Sequence, residues 1–258
     1  MELVGIQWNI QAARTRSPDD DPVALESYTG DHPDYISACL ASTAFDFVTL
    51  QEVHANSERN QADEIARQLG DVHAVTDSYG TSFMNPEFDI CQSVISQYPI
   101  IEHRYLPLQF APYTPVNLQD LDGEYLAKDT GLTAATIDIN GSLVAIATLH
   151  MQPFGLFAID PYGDAAKELR NSLEAQLRTL PSPWILQGDF NINSPSIDRF
   201  LGGIADLDGY AGLLQTAPTI PAGKTIDHIA SLHATPIHTS VDTAALTDHY
   251  PVKTVFKI

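Results

Sequence analysis

Several short apolar runs in this chain end on, or lead into, residues that can bind a metal or move a proton. Asn9 follows Ile6-Gln7-Trp8, and Glu52 follows Phe47-Val48-Thr49-Leu50-Gln51. His150 follows Ala147-Thr148-Leu149, while Asp189 and Asn191 follow Trp184-Ile185-Leu186-Gln187-Gly188. Asp227 sits within Thr225-Ile226-Asp227-His228-Ile229, and Asp248 and His249 precede Tyr250-Pro251-Val252. Strand ends that open into loops are where side chains from distant parts of a chain converge. Glu52, Asp189 and Asp248, with asparagine carboxamides, supply the hard oxygen ligands that Mg²⁺ or Mn²⁺ prefers. Two histidines with a nearby aspartate supply proton transfer and charge stabilisation. Taken singly, each residue has an ordinary structural explanation: a solvated strand edge, a turn, a structural hydrogen bond. Their joint occurrence carries the signal. The chain has no Ser-His-Asp pattern and no P-loop, and its nine histidines are too scattered for a zinc cluster.

Those residues need strands to hold them. Apolar runs predict strands near residues 4–8, 45–50, 93–96, 132–139, 143–149, 184–187, 225–230 and 251–256. Asn140-Gly141 between two such runs predicts a hairpin, because the pair supplies the positive-φ residues of a two-residue turn. Helices are expected near 33–42, after a Ser57 cap and ending at Gly70, and from about 164 to 180 with Leu169, Leu173, Leu177 and Leu180 as its apolar stripe. Strands mixed with helices and hairpins suggest two packed sheets covered by helices. Residues 11–32 and 104–130 fit no element. They read as surface insertions or as functional loops. With no repeat, low-complexity tract or linker, the 258 residues are read as a single domain.

Composition bounds the partners. The formal net charge of −20 disfavours long-range attraction to nucleic acid or to an anionic membrane. A bound divalent cation would reverse the field locally. No apolar stretch approaches the ~18 residues of a transmembrane helix, and the N-terminus lacks the pattern of a signal peptide. A cytoplasmic monomer is the expectation. Cys39 and Cys91 form no CxxC motif and read as free, mostly buried thiols, with one bridge between them as the alternative.

The pattern resembles the endonuclease/exonuclease/phosphatase superfamily, the deoxyribonuclease I-like fold. The motifs that carry the resemblance are Trp8-Asn9-Ile10, Leu50-Gln51-Glu52-Val53, Val94-Ile95-Ser96-Gln97-Tyr98-Pro99-Ile100 and Thr148-Leu149-His150. Gly188-Asp189-Phe190-Asn191, Ile226-Asp227-His228-Ile229 and Thr247-Asp248-His249-Tyr250-Pro251-Val252 complete it. The resemblance implies a four-layer α/β sandwich, with two mixed, mostly antiparallel sheets face to face and helices outside. It also implies Mg²⁺- or Mn²⁺-dependent hydrolysis of a phosphoester. In that reading Glu52 is the main metal ligand, Asn9 supports the metal–phosphate cluster and Asp248 is a second ligand. Asp189 and Asn191 align the attacking water and hold the phosphate. His249 contacts the scissile phosphate, Asp227 orients it and keeps it cationic, and His150 stabilises the transition state or protonates the leaving oxygen.

Three positions depart from the family pattern. Gln11 stands where relatives often carry an acid or an arginine. His54 stands where nucleases of this type present a phosphate-binding arginine. Asp129-Thr130-Gly131-Leu132 lacks the arginine that commonly precedes the Gly-Leu of the middle hairpin. Auxiliary phosphate contacts are therefore thin, which counts against duplex DNA. A phosphodiesterase or nuclease is the leading expectation. The alternative is a phospholipid, sphingomyelin or inositol-phosphate hydrolase. A non-catalytic binding module on the same fold would have lost core residues, and all eight are present here.

Overall fold

Alternation along the first strand, β1 (Glu2–Asn9), sets the plan of the molecule. Ile6 and Trp8 face one side, into an apolar layer shared with helices. Leu3 faces the other side, toward a second sheet, as do Gly5, Gln7 and Asn9 by the two-residue period of a strand. The computed structural model describes residues 1–111, 113–117 and 124–258, and every strand with a buried centre repeats this division.

Along the chain follow α1 (Pro33–Ala41), β2 (Phe47–Ala55), α2 (Gln61–Leu69), β3 (His73–Thr81), β4 (Asp89–Ser96) and β5 (Ile100–Pro107). Next come β6 (Val116–Asn117), β7 (Glu124–Tyr125), β8 (Gly131–Ile139), β9 (Ser142–His150), α3 (Lys167–Leu177) and β10 (Trp184–Asp189). The last are α4 (Asp198–Leu201), β11 (Tyr210–Gly212), β12 (Asp227–Leu232), β13 (Thr235–Val241) and β14 (Val252–Lys257). One six-stranded sheet has the order β13-β14-β1-β2-β4-β3, and the other β11-β12-β10-β9-β8-β5. Each is antiparallel except at its centre, where β1 pairs with β2 and β9 with β10 in parallel.

Three apolar layers hold this α/β sandwich together. Ile36 and Leu40 of α1 and Ala62 and Ile65 of α2 pack on Val48 and Leu50 outside the first sheet. Leu169, Leu173 and Leu177 of α3 pack on Ala145, Ala147, Trp184 and Leu186 outside the second. Between the sheets lie Leu3, Phe47, Val94, Ile137, Ile146, Ile185 and Phe256. That middle layer changes character along the strands. Leu3, Phe47 and Ile185 give way to Gln7, Thr49, Gln51, Gln187 and Thr148, all fully buried, and then to the acids at the strand ends. Gln7 Nε2 donates to Gln51 Oε1 at 2.7 Å within the first sheet, and Gln51 then bonds across the gap, donating Nε2 to Thr148 Oγ1 at 2.7 Å. Thr49 Oγ1 donates to Gln187 Oε1 at 3.3 Å.

The hairpin at Asn140-Gly141 forms as expected, with φ of 53° and 92° at the two turn residues and β8–β9 closing at Ile139 opposite Ser142. Gly188 permits a closer approach: a Cβ there would lie 2.3 Å from the Leu149 carbonyl oxygen, so only glycine lets β10 lie this close to β9. The expected Ser57 cap is displaced. Asn60 caps α2 by accepting the Ala62 amide at 2.9 Å, and Asn56 turns the preceding residues by accepting from Glu58 and Arg59. Both cysteines are free thiols. Among the described residues no helix is long and apolar enough to cross a membrane.

Residues 11–32 form short 3₁₀ turns tied by an antiparallel bridge between Thr15 and Thr29. In the 104–130 segment, Leu108 and Tyr113 join the core under α3, and Phe110, Phe154 and Phe157 surround the Tyr113 ring. These aromatics are packing. Pro112 and the Tyr125 side chain lie outside the described residues.

Candidate active site

Register brings the candidate residues together at one end of the two sheets. On the second sheet Asp189 lies opposite His150 on one side and Asp227 on the other. On the first, Asn9 lies opposite Gln51, and β2 then bulges between Leu50 and Val53. Glu52 sits in that bulge with φ of 54°, a left-handed conformation that re-aims its side chain. Asp248 and His249 arrive on the connection between β13 and β14. Trp8 fixes that connection from the outer face of β1: its indole N–H lies 3.1 Å from both Thr247 Oγ1 and the His249 carbonyl.

The contacts close across the gap between the sheets. Asn9 Nδ2 donates to Glu52 Oε1 at 3.0 Å and to Asp189 Oδ2 at 3.1 Å. Its Oδ1 accepts the Gln11 amide at 3.1 Å, which fixes the orientation of the carboxamide. That amide belongs to a left-handed turn in which Gln11, Ala12 and Ala13 have φ of 44°, 56° and 56°. Such strain in non-glycine residues persists only where surroundings enforce it. His249 Nδ1 lies 3.0 Å from Asp227 Oδ2, and Asp227 Oδ1 accepts Gln7 Nε2 at 2.8 Å. His249 Nε2 points at Asp189 Oδ2, 3.7 Å away. His150 Nε2 lies 3.5 Å from Asp189 Oδ2 and 3.7 Å from Glu52 Oε1. Asn191, with φ of 53°, donates its Nδ2 to the Met151 carbonyl at 2.8 Å and lies 3.2 Å from His150 Nε2.

The two histidines are held in opposite protonation states. Burial by itself would lower the His249 pKa. The charge and hydrogen bond of Asp227, with Asp189 and Asp248, outweigh it and hold the ring well above its ordinary value, so it is cationic near neutrality. Burial lowers the His150 pKa, and the nearby carboxylates do not restore it. The Asn191 amide is committed to Met151, so its second N–H faces a His150 Nε2 that accepts. The proton of neutral His150 then sits on Nδ1, against Tyr79.

Does this donor set suit a hard cation? Burial pushes the carboxyls of Asp189 and Asp248 up to about 7, the mark of buried acids short of positive charge. Asp248 Oδ1 is buried and has no hydrogen-bond partner. Asp189, Asp227 and His249 offer ligand atoms within 4.8 Å of one another, so this group could hold a metal ion. Two atoms in that trio already bond to each other, and Gln7 uses an oxygen of Asp227. Asp189 is likewise engaged, Oδ2 accepting from Asn9 and Oδ1 from the Asn191 backbone amide, so the less committed oxygens are those of Glu52 and the orphaned Asp248 Oδ1. Carboxylates with a carboxamide and a buried orphan oxygen fit Mg²⁺ or Mn²⁺.

All eight residues expected from the sequence therefore lie at this end of the sheets. Sequence reasoning missed three others. Tyr79 on β3 places its hydroxyl 2.7 Å from His150 Nδ1, with the rings edge to face. Gln7 braces Asp227. Lys128 lines the cleft and donates Nζ to the Thr81 carbonyl at 2.7 Å. Alternation in β1 already turns Gln7 toward the gap, whereas nothing local marks Tyr79 or Lys128. His54 does not replace a phosphate-binding arginine. It is buried, bonds Ser82 Oγ at 2.7 Å through Nε2 and stacks on Phe88. Asp129 is exposed.

Comparison with known proteins bears on family and fold. The sequence profile described as "Endonuclease/Exonuclease/phosphatase family" matches residues 6–251. No curated protein sequence gives a significant match. Among solved structures, an endonuclease/exonuclease/phosphatase from Bacteroides vulgatus is similar with a TM-score of 0.68 at 15% identity, over 100% of this chain and 99% of that one. D. rerio TDP2 complexed with a single-strand DNA product gives 0.63 at 13%, over 100% and 99%. A mannosyl-6-phosphatase from Bacteroides thetaiotaomicron VPI-5482 gives 0.60 at 16%, over 99% and 100%. At these identities the likeness is one of fold.

Proposed function

The chain belongs to the endonuclease/exonuclease/phosphatase family, and on that premise we propose that it is a divalent-metal-dependent phosphodiesterase. The observation that carries the reading is the Asp227–His249 pair set beside the Asn9–Glu52–Asp189 cluster, each of them bridging the gap between the sheets. A phosphodiester repels anionic nucleophiles, so charge must be neutralised before water can attack. Glu52, supported by Asn9 and joined by Asp248, would hold Mg²⁺ or Mn²⁺, which when bound supplies Lewis-acid neutralisation of a phosphoryl oxygen.

The remaining work falls to the chain's own groups. Cationic His249 donates Nε2–H to a non-bridging oxygen, and Asp227 keeps that ring charged and oriented. Asp189 accepts a hydrogen bond from the attacking water, and Asn191 holds the phosphate by turning to it the N–H that otherwise faces His150 Nε2. His150 faces the same volume with a neutral ring. The proton that the water loses as its oxygen bonds phosphorus passes by way of Asp189 to His150 Nε2, 3.5 Å away, and from that ring to the leaving oxygen as the P–O bond breaks. Solved neighbours include a protein bound to a DNA product and a sugar phosphatase, so the fold leaves the ester open. The charge of −20 and the missing arginines favour a small diester over duplex DNA.

The test is hydrolysis of bis-(p-nitrophenyl) phosphate beside p-nitrophenyl phosphate, with Mg²⁺, Mn²⁺ or EDTA. Metal-dependent release from the diester, abolished in His249→Ala, is expected. Release that survives EDTA or the substitution, or no release from the diester, refutes the proposal.

A further inference from the structure

The cleft over the candidate site has two unlike walls. One is the polar set of Glu52, Asp189, Asn191, His150 and His249. The other is apolar: Phe83 and Ile90 come from the β3–β4 hairpin, and Met151, Pro153 and Leu156 from the chain just after His150. Phe83 is 39% exposed, unusual for a phenylalanine. Apart from the histidines, Lys128 is the only cationic side chain lining the cleft among the described residues, and its ammonium is directed to the Thr81 carbonyl.

A groove that tracks a polynucleotide backbone needs several cations in a row. A cleft for a polar headgroup needs hydrogen-bonding side chains on its far wall. Here the cationic lining is Lys128 and the histidines, and the polar lining besides is Tyr79, bonded to His150, and Gln152, whose amide is taken up by the Lys128 backbone. The apolar residues line the same cleft as His150 and His249, with Met151 following His150 directly in the chain.

Resting on the phosphodiesterase reading above, we propose that Phe83, Ile90, Met151, Pro153 and Leu156 form a subsite for an apolar group carried by the scissile phosphate. The substrate class is a small phosphodiester with an alkyl or aryl substituent. Apolar burial strengthens binding by about fourfold for each methylene removed from water.

The test separates binding from turnover by using phosphonates, whose C–P bond the proposed reaction does not cleave. Methyl-, butyl-, hexyl- and phenylphosphonate are titrated calorimetrically into the full chain with Mg²⁺. The Kd should fall at least tenfold from methyl to butyl and continue to hexyl if the natural group is a chain. Phenyl should outbind butyl if it is a ring. Phe83→Ala and Leu156→Ala should each remove most of the gain while leaving methylphosphonate binding unchanged. Longer phosphonates that bind no tighter than methylphosphonate, or not at all, overturn the subsite, as does a gain that survives both substitutions. Hydrolysis of bis-(p-nitrophenyl) phosphate by the same preparation reports separately on the phosphodiesterase reading.

Discussion

Replacing Asp227 by asparagine changes one charge and almost no volume, and it separates two accounts of the same cluster. The Asp227 carboxylate lies 3.0 Å from His249 Nδ1. With charge centres about 4 Å apart and an effective dielectric near 20, that pair is worth about 4 kcal/mol. Without it, burial works against the imidazolium with only Asp189 and Asp248 to oppose it. The protonated fraction of His249 at neutral pH should collapse. Turnover of bis-(p-nitrophenyl) phosphate at pH 7 should fall by about 10²- to 10³-fold. The sign of the pH dependence is the sharper readout. If protonated His249 is the active form, activity is lost as pH rises through its raised pKa. In Asp227→Asn that falling limb should move to lower pH, with partial recovery under mildly acid conditions. The fold should survive, since an asparagine oxygen can still accept from Gln7. Mg²⁺ affinity should change little. An unmoved alkaline limb together with lost Mg²⁺ affinity would show that Asp227 is a metal ligand and not the partner of His249.

Three further outcomes are expected. Glu52→Gln should weaken Mg²⁺ binding, measured by calorimetry, more than Asp248→Asn does; the reverse order makes Asp248 the principal ligand. Tyr79→Phe should release His150 from its Nδ1–H tautomer, visible in the ¹⁵N spectrum of the imidazole, and lower kcat about tenfold with KM nearly unchanged; an identical spectrum and kcat would make the hydroxyl contact incidental. The third concerns stability. Burial holds the His54 pKa down at about 4, below its unfolded value of about 6.5. Its contribution is therefore complete above pH 6.5 and is lost as pH falls toward 4, by about 2–3 kcal/mol at pH 4.5. Urea unfolding of the wild type and His54→Gln at pH 7 and 4.5 measures the difference. Equal acid sensitivity in the two chains would rule out His54 as its source.

The sequence revealed the interior of the fold and hid its borders. The eight strands read from apolar runs are the ones with neighbours on both sides. Of the six others, β6 and β7 form a two-residue ladder of their own. The remaining four, β3, β13, β5 and β11, are the outermost strands of the two sheets. Most positions of β5 and β13 are exposed or half-buried, so neither strand shows the clean alternation that marks a buried face. Tyr79 was missed for the same reason, since it lies on one of these edges. The site residues were legible because each ends a run apolar enough to be recognised. Their mutual geometry was not, since it depends on cross-strand register and on the bulge at Glu52. His54, which stands where relatives place a phosphate-binding arginine, is engaged instead by Ser82 and Phe88, in keeping with the thin phosphate contacts expected from the sequence.

The glutamine layer between the sheets has a mechanical consequence. Asn9 and Glu52 belong to one sheet, and His150, Asp189 and Asp227 to the other. The candidate site is thus a pair of jaws mounted on separate plates. Oily side chains alone would let such plates shear by fractions of an ångström at little cost. The bonds from Gln7 to Asp227, from Gln51 to Thr148 and from Thr49 to Gln187 cross between the plates and are satisfied together in only one alignment. They act as dowels set just behind the jaws. The spacing of the candidate site's side chains is therefore set by bonds within the protein itself.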